Sequence, residues 1–193
     1  RKMLVLLAAS LLAMGIFIGL ANTHLPIPTL RQPVKIALIQ HNLPFSEEWR
    51  IDHFSEVKQK YETLALKAAK ENPDLIIFPQ YTFPGDIYRD PAFFTELAKK
   101  TGAYILVATH VPAEAGRSVF DFGFINLALL FTPEGELGGV YQAMQEAPFG
   151  EIKQKSAKTY EVIETPFAKL GILLCYEDVT SQTAKEAVRA GAD

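Results

Sequence analysis

The chain has 193 residues, of which 49% are hydrophobic and 21% are charged, and its formal net charge is −3. This composition is enough for one folded domain, and the slightly acidic balance without long charge runs argues against nucleic-acid binding. A single cysteine cannot form an internal disulfide, and no histidine or cysteine pair has zinc-ligand spacing. The fold must therefore rest on an apolar core.

The first segment is strongly apolar. Residues 3–21 carry no charge and come directly after Arg1 and Lys2. As a helix they would extend about 28 Å, which is long enough to cross a bilayer, and the basic pair favours an extracytoplasmic location for the rest of the chain. We expect residues 1–22 to be a transmembrane helix or signal anchor, with the remainder on the periplasmic side of the cell membrane. A secretory signal peptide is the alternative, because Ala21 ends a small-residue sequence typical of a cleavage site.

The rest of the chain alternates strand and helix patterns. Residues 23–33 contain three prolines and read as a linker, and the domain then occupies residues 34–193. The pattern predicts strands at 34–40, 74–79 and 103–108, helices at 55–71 and 91–100, and a hairpin formed by 122–131 and 136–141. This order predicts a layered α/β domain.

Cys175 comes directly after the apolar run of residues 170–174. A buried strand that ends in a cysteine would hold a thiol rigidly at the edge of a sheet, as a catalytic nucleophile requires. Free cysteine is also one of the most frequently buried residue types, so a simple core cysteine is the alternative.

Four local sequences carry a family resemblance. They read IALIQHNLPFSEEW at 36–49, DLIIFPQYTFP at 74–84, YQAMQEAPFGE at 141–151 and GILLCYE at 171–177. In this order and spacing they resemble the carbon–nitrogen hydrolase (nitrilase) superfamily, and within it the membrane-bound apolipoprotein N-acyltransferases. The resemblance covers about residues 34–193.

The resemblance implies an αββα sandwich with a Glu–Lys–Cys triad and no metal or organic cofactor. The cysteine matches at Cys175, but the glutamate position holds Gln80 and the lysine position holds Ala143. A neutral amide is not an effective general base, and a methyl group neither supplies a cation nor donates to an oxyanion. We therefore expect little turnover, either in an enzyme with an altered triad or in a decayed binding protein.

Further candidates come from the same motifs. Glu151 matches a glutamate that assists the triad, although a solvated loop glutamate is the alternative. Trp49, Phe83 and Phe149 could line an apolar acyl pocket with Tyr176 beside the cysteine, and ordinary loop packing of these aromatics is equally open.

The resemblance also implies partners and competing functions. Membership of the acyltransferase branch implies a phospholipid acyl donor, the N-terminus of a lipoprotein as acceptor, and a membrane setting. Residues 152–168 form a shorter and more polar segment than that branch usually carries, which favours a small-substrate amidase. A catalytically dead lipid- or peptide-binding protein is the third hypothesis. The resemblance further implies that the domain is incomplete at its C-terminus.

Overall fold

The computed structural model describes residues 2–24, 33–42, 54–80, 83, 87–88, 90–114, 123–145 and 154–193. The chain divides into two compact units, Arg1–Arg31 and Gln32–Asp193. The first unit contains helix α1 (Lys2–His24), most of whose apolar side chains are exposed. No helix within the described ranges has the combined length and apolar character of a membrane-spanning segment.

The second unit is built on a five-stranded mixed sheet with the order β1-β2-β3-β4-β5. Strands β1, β2 and β3 are parallel, and β4 and β5 add to them in antiparallel fashion. The α/β class predicted from the sequence is therefore confirmed. The strands are β1 (Ile36–Leu38), β2 (Leu75–Ile77), β3 (Tyr104–Pro112), β4 (Phe124–Phe131) and β5 (Leu137–Gln142).

Two helices cover one face of this sheet. In α2 (Phe54–Ala69) the buried residues Val57, Tyr61 and Ala65 are four positions apart, so they form one stripe. Helix α3 (Ala92–Thr101) ends at Gly102, which adopts a left-handed φ of 64° and donates its N–H to the carbonyl of Ala98. That left-handed cap favours glycine and reverses the chain directly into β3.

The opposite face packs against the C-terminal part of the chain. This part contains the two-stranded ladder of β6 (Ile163–Glu164) and β7 (Lys169–Leu170), a 3₁₀ turn (Cys175–Asp178) and helix α4 (Ser181–Arg189). Alternate residues of each central strand enter different cores, as the two-residue period of a strand requires. In β3, for example, Val107 points to the helix face and Ala108 to the opposite face.

One predicted element is wrong. The apolar run 170–174 was expected to form a strand that ends at Cys175, but β7 stops at Leu170 and Cys175 begins the 3₁₀ turn. The segment between them remains extended at Leu174, with φ −108° and ψ 129°. The thiol therefore lies at a junction between extended chain and a tight turn. The physical reason is that the backbone groups of Ile172 and Leu174 bind the side chains of Tyr160 and Glu177 and not a neighbouring strand.

Candidate functional site

Cys175 has an exposed side chain and a left-handed backbone, with φ at +53°. An L-residue other than glycine rarely adopts this conformation, and holding it there costs on the order of 1–3 kcal/mol. Such strain persists only where the surrounding structure fixes the backbone. The fixed, exposed thiol supports the nucleophile interpretation over that of a buried core cysteine.

The 3₁₀ turn that begins at Cys175 also contains a buried carboxylate, that of Glu177. Glu177 is 0% exposed, and its Oε1 accepts hydrogen bonds from the backbone N–H of Met144 at 2.7 Å and of Gln145 at 3.3 Å. Its Oε2 accepts the backbone N–H of Leu174 at 2.8 Å. The hydroxyl of Tyr141 lies 3.0 Å from both oxygens. Glu177 therefore joins the end of β5 to the residue before the candidate nucleophile.

Tyr141 is the side-chain donor among the hydrogen-bond partners of Glu177. Burial, reinforced by the adjacent Glu177 carboxylate, raises the pKa of Tyr141 far above its ordinary value. The phenol consequently keeps its proton and remains a donor to the carboxylate.

Ala143 lies immediately after β5 and is 1% exposed. Its N–H donates to the carbonyl of Asn126 at 3.0 Å, and its carbonyl accepts the N–H of Ala157 at 2.9 Å. Its methyl group belongs to the same apolar cluster as Leu174. Ala143 and Cys175 are each one residue from an N–H bound by Glu177, so the structure brings these two positions together.

Gln80 lies three residues after the last residue of β2. Its side-chain nitrogen Nε2 is buried and has no hydrogen-bond partner among the described residues. A buried donor without an acceptor is costly, on the order of 1–3 kcal/mol. This amide occupies the position where the resemblance places a carboxylate.

Strand register relates Gln80 to Ala143. Ile77 of β2 pairs with Leu106 of β3. Three residues further along both segments, the same register places Gln80 beside Thr109, which pairs with Leu127 of β4. Leu127 in turn pairs with Gln142, the neighbour of Ala143. The two positions thus lie at the same end of the sheet, about 14 Å apart across three strand spacings, so only long side chains could approach each other.

The family model described as "Carbon-nitrogen hydrolase" matches residues 35–193. The chain belongs to the carbon-nitrogen hydrolase family. This match covers the whole of the region that carries Gln80, Ala143 and Cys175.

Relatives within the family carry two kinds of name. An apolipoprotein N-acyltransferase of Geobacter metallireducens is 25% identical over 210 residues, covering 97% of this chain and 39% of that protein. A probable nitrilase of Schizosaccharomyces pombe is 24% identical over 181 residues, covering 86% of this chain and 60% of that protein. The chain therefore spans about two fifths of the acyltransferase that it matches.

Solved structures show the same fold. A carbon-nitrogen hydrolase from Helicobacter pylori G27 gives a TM-score of 0.64 at 20% identity, over 82% of this chain and 57% of that one. The amidase from Nesterenkonia sp. AN1, in a Glu-to-Gln variant with acrylamide added at its active-site cysteine, gives 0.67 at 17% identity, over 83% and 65%. These likenesses show that the chain has a nitrilase-like fold.

The remaining candidates divide into described and undescribed residues. Trp49, Phe149 and Glu151 lie outside the described residues, so their roles stay predictions. Phe83 is 7% exposed, and its ring lies 4.9 Å from that of Phe94 and 5.3 Å from that of Phe93. Its ring is thus largely occupied by core packing, one of the two alternatives left open by the sequence.

Tyr176 is half-buried within the 3₁₀ turn, next to the thiol. Its contact with a substrate stays a prediction. His110 lies inside β3 and pairs with Asn126.

A cavity of about 600 Å³ lies beside residues 144 and 145, bounded on its other sides by Lys158, Tyr160, Thr183 and Arg189. Neither Cys175 nor Ala143 contributes to its lining.

The site residues predicted from the sequence do not include Glu177. The structure instead makes Glu177 the residue that organises the site. The signal available in the sequence was an acidic residue close to an apolar run. A carboxylate buried there would need several hydrogen-bond donors around it.

Proposed function

We propose that this chain carries a nitrilase-type acyltransferase domain in which Cys175 is the nucleophile and turnover is weak because of Gln80 and Ala143. The observation that carries the proposal is the exposed thiol at φ +53°, fixed by the buried Glu177 carboxylate. The acyltransferase assignment draws on the names of the relatives in Geobacter metallireducens and Nitrosomonas europaea.

The proposed chemistry is a two-step transfer. The sulfur of Cys175 attacks the ester carbonyl of a phospholipid, the C–O bond breaks, and the lysophospholipid alcohol leaves with the proton. The N-terminal amine of a lipoprotein then attacks the thioester carbonyl, and the C–S bond breaks to regenerate the thiol. The amide of Gln80 is a poor acceptor for the thiol proton, and Ala143 offers no cation to the oxyanion.

The experiment that tests this chemistry is intact-mass spectrometry after incubation with phospholipid vesicles. Three chains are compared: the unchanged chain, the Gln80→Glu/Ala143→Lys double variant, and that double variant with Cys175→Ala as control. An acyl mass on the double variant alone supports the acyltransferase. No acyl mass on any chain would contradict it.

A double-mutant cycle tests the geometry independently of activity. Lys at position 143 alone buries an unpaired ammonium, and Glu at position 80 alone adds a partly buried carboxylate. If the two side chains meet, the double variant should recover about 1–3 kcal/mol of unfolding free energy relative to the sum of the single variants. Additive losses would show that the two positions do not form one site.

A small-substrate amidase is the second candidate function. It is favoured by the probable nitrilase among the relatives, the amidase structures and the short polar segment at 152–168. Ammonia release from small amides by the double variant, without an acyl adduct from phospholipid, would select it. Ligand binding without either product would select the non-catalytic lipid- or peptide-binding alternative.

We also propose that residues 3–21 anchor the chain in the cell membrane with the domain on the periplasmic side. Their uncharged composition and the preceding basic pair support this location. Cys175 is the only cysteine and is exposed, so it serves as a topology reporter. A membrane-impermeant maleimide should label it in intact spheroplasts, with Cys175→Ser as control, whereas labelling only after lysis would contradict the orientation.

A further inference from the structure

The backbone between β7 and the thiol has an unusual hydrogen-bond partner. Ile172 is buried, yet it lies beyond the end of the β6–β7 ladder. Buried backbone N–H and carbonyl groups require partners. The hydroxyl of Tyr160 supplies both, accepting the N–H of Ile172 at 2.6 Å and donating to its carbonyl at 2.7 Å. One side chain therefore replaces a neighbouring strand at this residue.

The next buried residue of the segment is held in the same manner. Leu174 donates its N–H to Glu177, so alternate residues before Cys175 are fixed by side chains rather than by a ladder. At the start of the segment, Gly171 is closely packed: a Cβ added there would lie 2.8 Å from the Cβ of Ala192 and 3.6 Å from the Tyr160 hydroxyl. The segment 171–174 is thus held by side chains at Ile172 and Leu174 and is closely packed at Gly171.

Tyr160 is itself well placed for this role. Its ring lies 5.1 Å from the ring of Tyr141, whose hydroxyl binds Glu177. Burial raises the pKa of Tyr160, so its hydroxyl stays protonated and remains a donor to Ile172. The two tyrosines and the carboxylate are thus in mutual contact, and their backbone partners Ile172 and Leu174 lie within three residues of the thiol.

We infer that Tyr160 is a positioning residue for the nucleophile: its hydroxyl, bound to both backbone groups of Ile172, holds the extended segment that sets the orientation of Cys175. This inference rests on the proposed function, in which Cys175 is the nucleophile. Tyr160 does not touch a reacting atom in this arrangement and acts through the backbone.

The direct test compares Tyr160→Phe with Tyr104→Phe in the full chain. Both variants remove one hydroxyl from a half-buried tyrosine of the same core, but the hydroxyl of Tyr104 makes no hydrogen bond within the described residues. Amide hydrogen exchange in residues 171–175 should accelerate roughly tenfold in Tyr160→Phe, since a buried N–H loses its acceptor. Unchanged exchange in Tyr160→Phe would overturn the inference.

A second measurement connects the hydroxyl to the thiol. The rate of Cys175 alkylation by iodoacetamide is recorded as a function of pH for the native chain, for the urea-unfolded chain and for the two variants. We expect the native rate to differ from the unfolded rate, and Tyr160→Phe to shift it at least threefold towards the unfolded value while Tyr104→Phe leaves it unchanged.

The possible outcomes separate the two proposals. If the native and unfolded rates coincide, Cys175 is not a positioned nucleophile, and both the proposed function and the role of Tyr160 are overturned. If they differ but Tyr160→Phe behaves like Tyr104→Phe, only the role of Tyr160 is overturned. Accelerated exchange together with a shifted alkylation profile supports both, whereas a loss of unfolding free energy with neither change would indicate a purely structural tyrosine.

Discussion

The two faces of the five-stranded sheet are packed by different interactions. The face under α2 and α3 is filled by aromatic and aliphatic side chains, with Phe94 in ring contact with Phe78, Phe83 and Phe131. On the opposite face, besides the apolar residues, the buried carboxylate of Glu177 and the hydroxyl of Tyr160 bind backbone groups near Cys175, and the hydroxyl of Tyr141 binds that carboxylate. Apolar burial is non-directional, whereas hydrogen bonds fix orientation. The difference separates the face that stabilises the fold from the face that positions the thiol.

The largest expected change in stability comes from the aromatic face, the one under α2 and α3. Phe94→Ala should lower the free energy of unfolding by about 3–5 kcal/mol, because Phe94 is buried and the cavity would be lined by rings that relax only partly. Urea denaturation measures the loss, and Phe93→Ala, at a half-buried neighbour, should cost less. Cys175 alkylation in the folded variant should match that of the unchanged chain. A large change in alkylation would show that the two faces are coupled.

The second effect tests the polar face. Glu177→Gln should lower the unfolding free energy by about 2–3 kcal/mol, because an amide has one acceptor oxygen where the carboxylate has two, and its NH₂ group opposes backbone donors. Amide exchange at Met144 and Leu174 should accelerate. The matched control is Glu164→Gln, which changes an exposed glutamate paired with Lys169 and should leave stability unchanged within error. Equal behaviour of the two variants would contradict the role assigned to Glu177.

Substitutions at two glycines, with similar expected losses of stability, test whether the thiol depends on the segment before it. Gly171→Ala places a Cβ 2.8 Å from Ala192 Cβ, and Gly139→Ala places one 2.5 Å from Ile163 Cγ2. Overpacking of this kind costs about 1–3 kcal/mol. Both variants should therefore lose stability in urea, but only Gly171→Ala should change the alkylation rate of Cys175. The same change in both variants would mean that the thiol responds to stability rather than to local geometry.

The smallest expected effect is a pH dependence on the helix face. Burial, with a smaller contribution from Lys60, lowers the pKa of His41 below its ordinary 6.5. The unfolded chain then binds a proton more readily than the folded chain, so stability should fall as the pH drops through 6.5 and be fully present above it. Urea midpoints across this range measure the slope. Lys60→Gln should weaken the dependence, and an increase in stability on acidification would contradict it.

The sequence predicts the individual helices and strands better than it predicts the candidate site. The hairpin is confirmed because Gly135, at φ 82°, supplies the turn that the sequence requires, and α2 is confirmed by its stripe of buried residues. Strand β3 extends beyond its predicted end because Pro112 pairs with Phe124, a contact between distant residues. Periodicity within a short window carries no information on such pairing.

The site departs from prediction for the same reason. The run before Cys175 has the composition of a strand, but its partners are the side chains of Tyr160 and Glu177, which no local pattern specifies. Identification of Cys175, Gln80 and Ala143 depended on motif spacing, whereas the carboxylate that binds the backbone beside Cys175 and Ala143 became visible only from the folded contacts.

The left-handed backbone of Cys175 has a consequence for the evolution of this chain. Glycine and asparagine adopt φ near +53° more readily than cysteine, and the exposed side chain contributes little packing that a substitution would remove. In a lineage released from any demand for thiol chemistry, mutations to these residues would relieve strain and so be favoured by selection for stability. Folding stability alone therefore does not account for cysteine at this position, whereas the proposed role as nucleophile does.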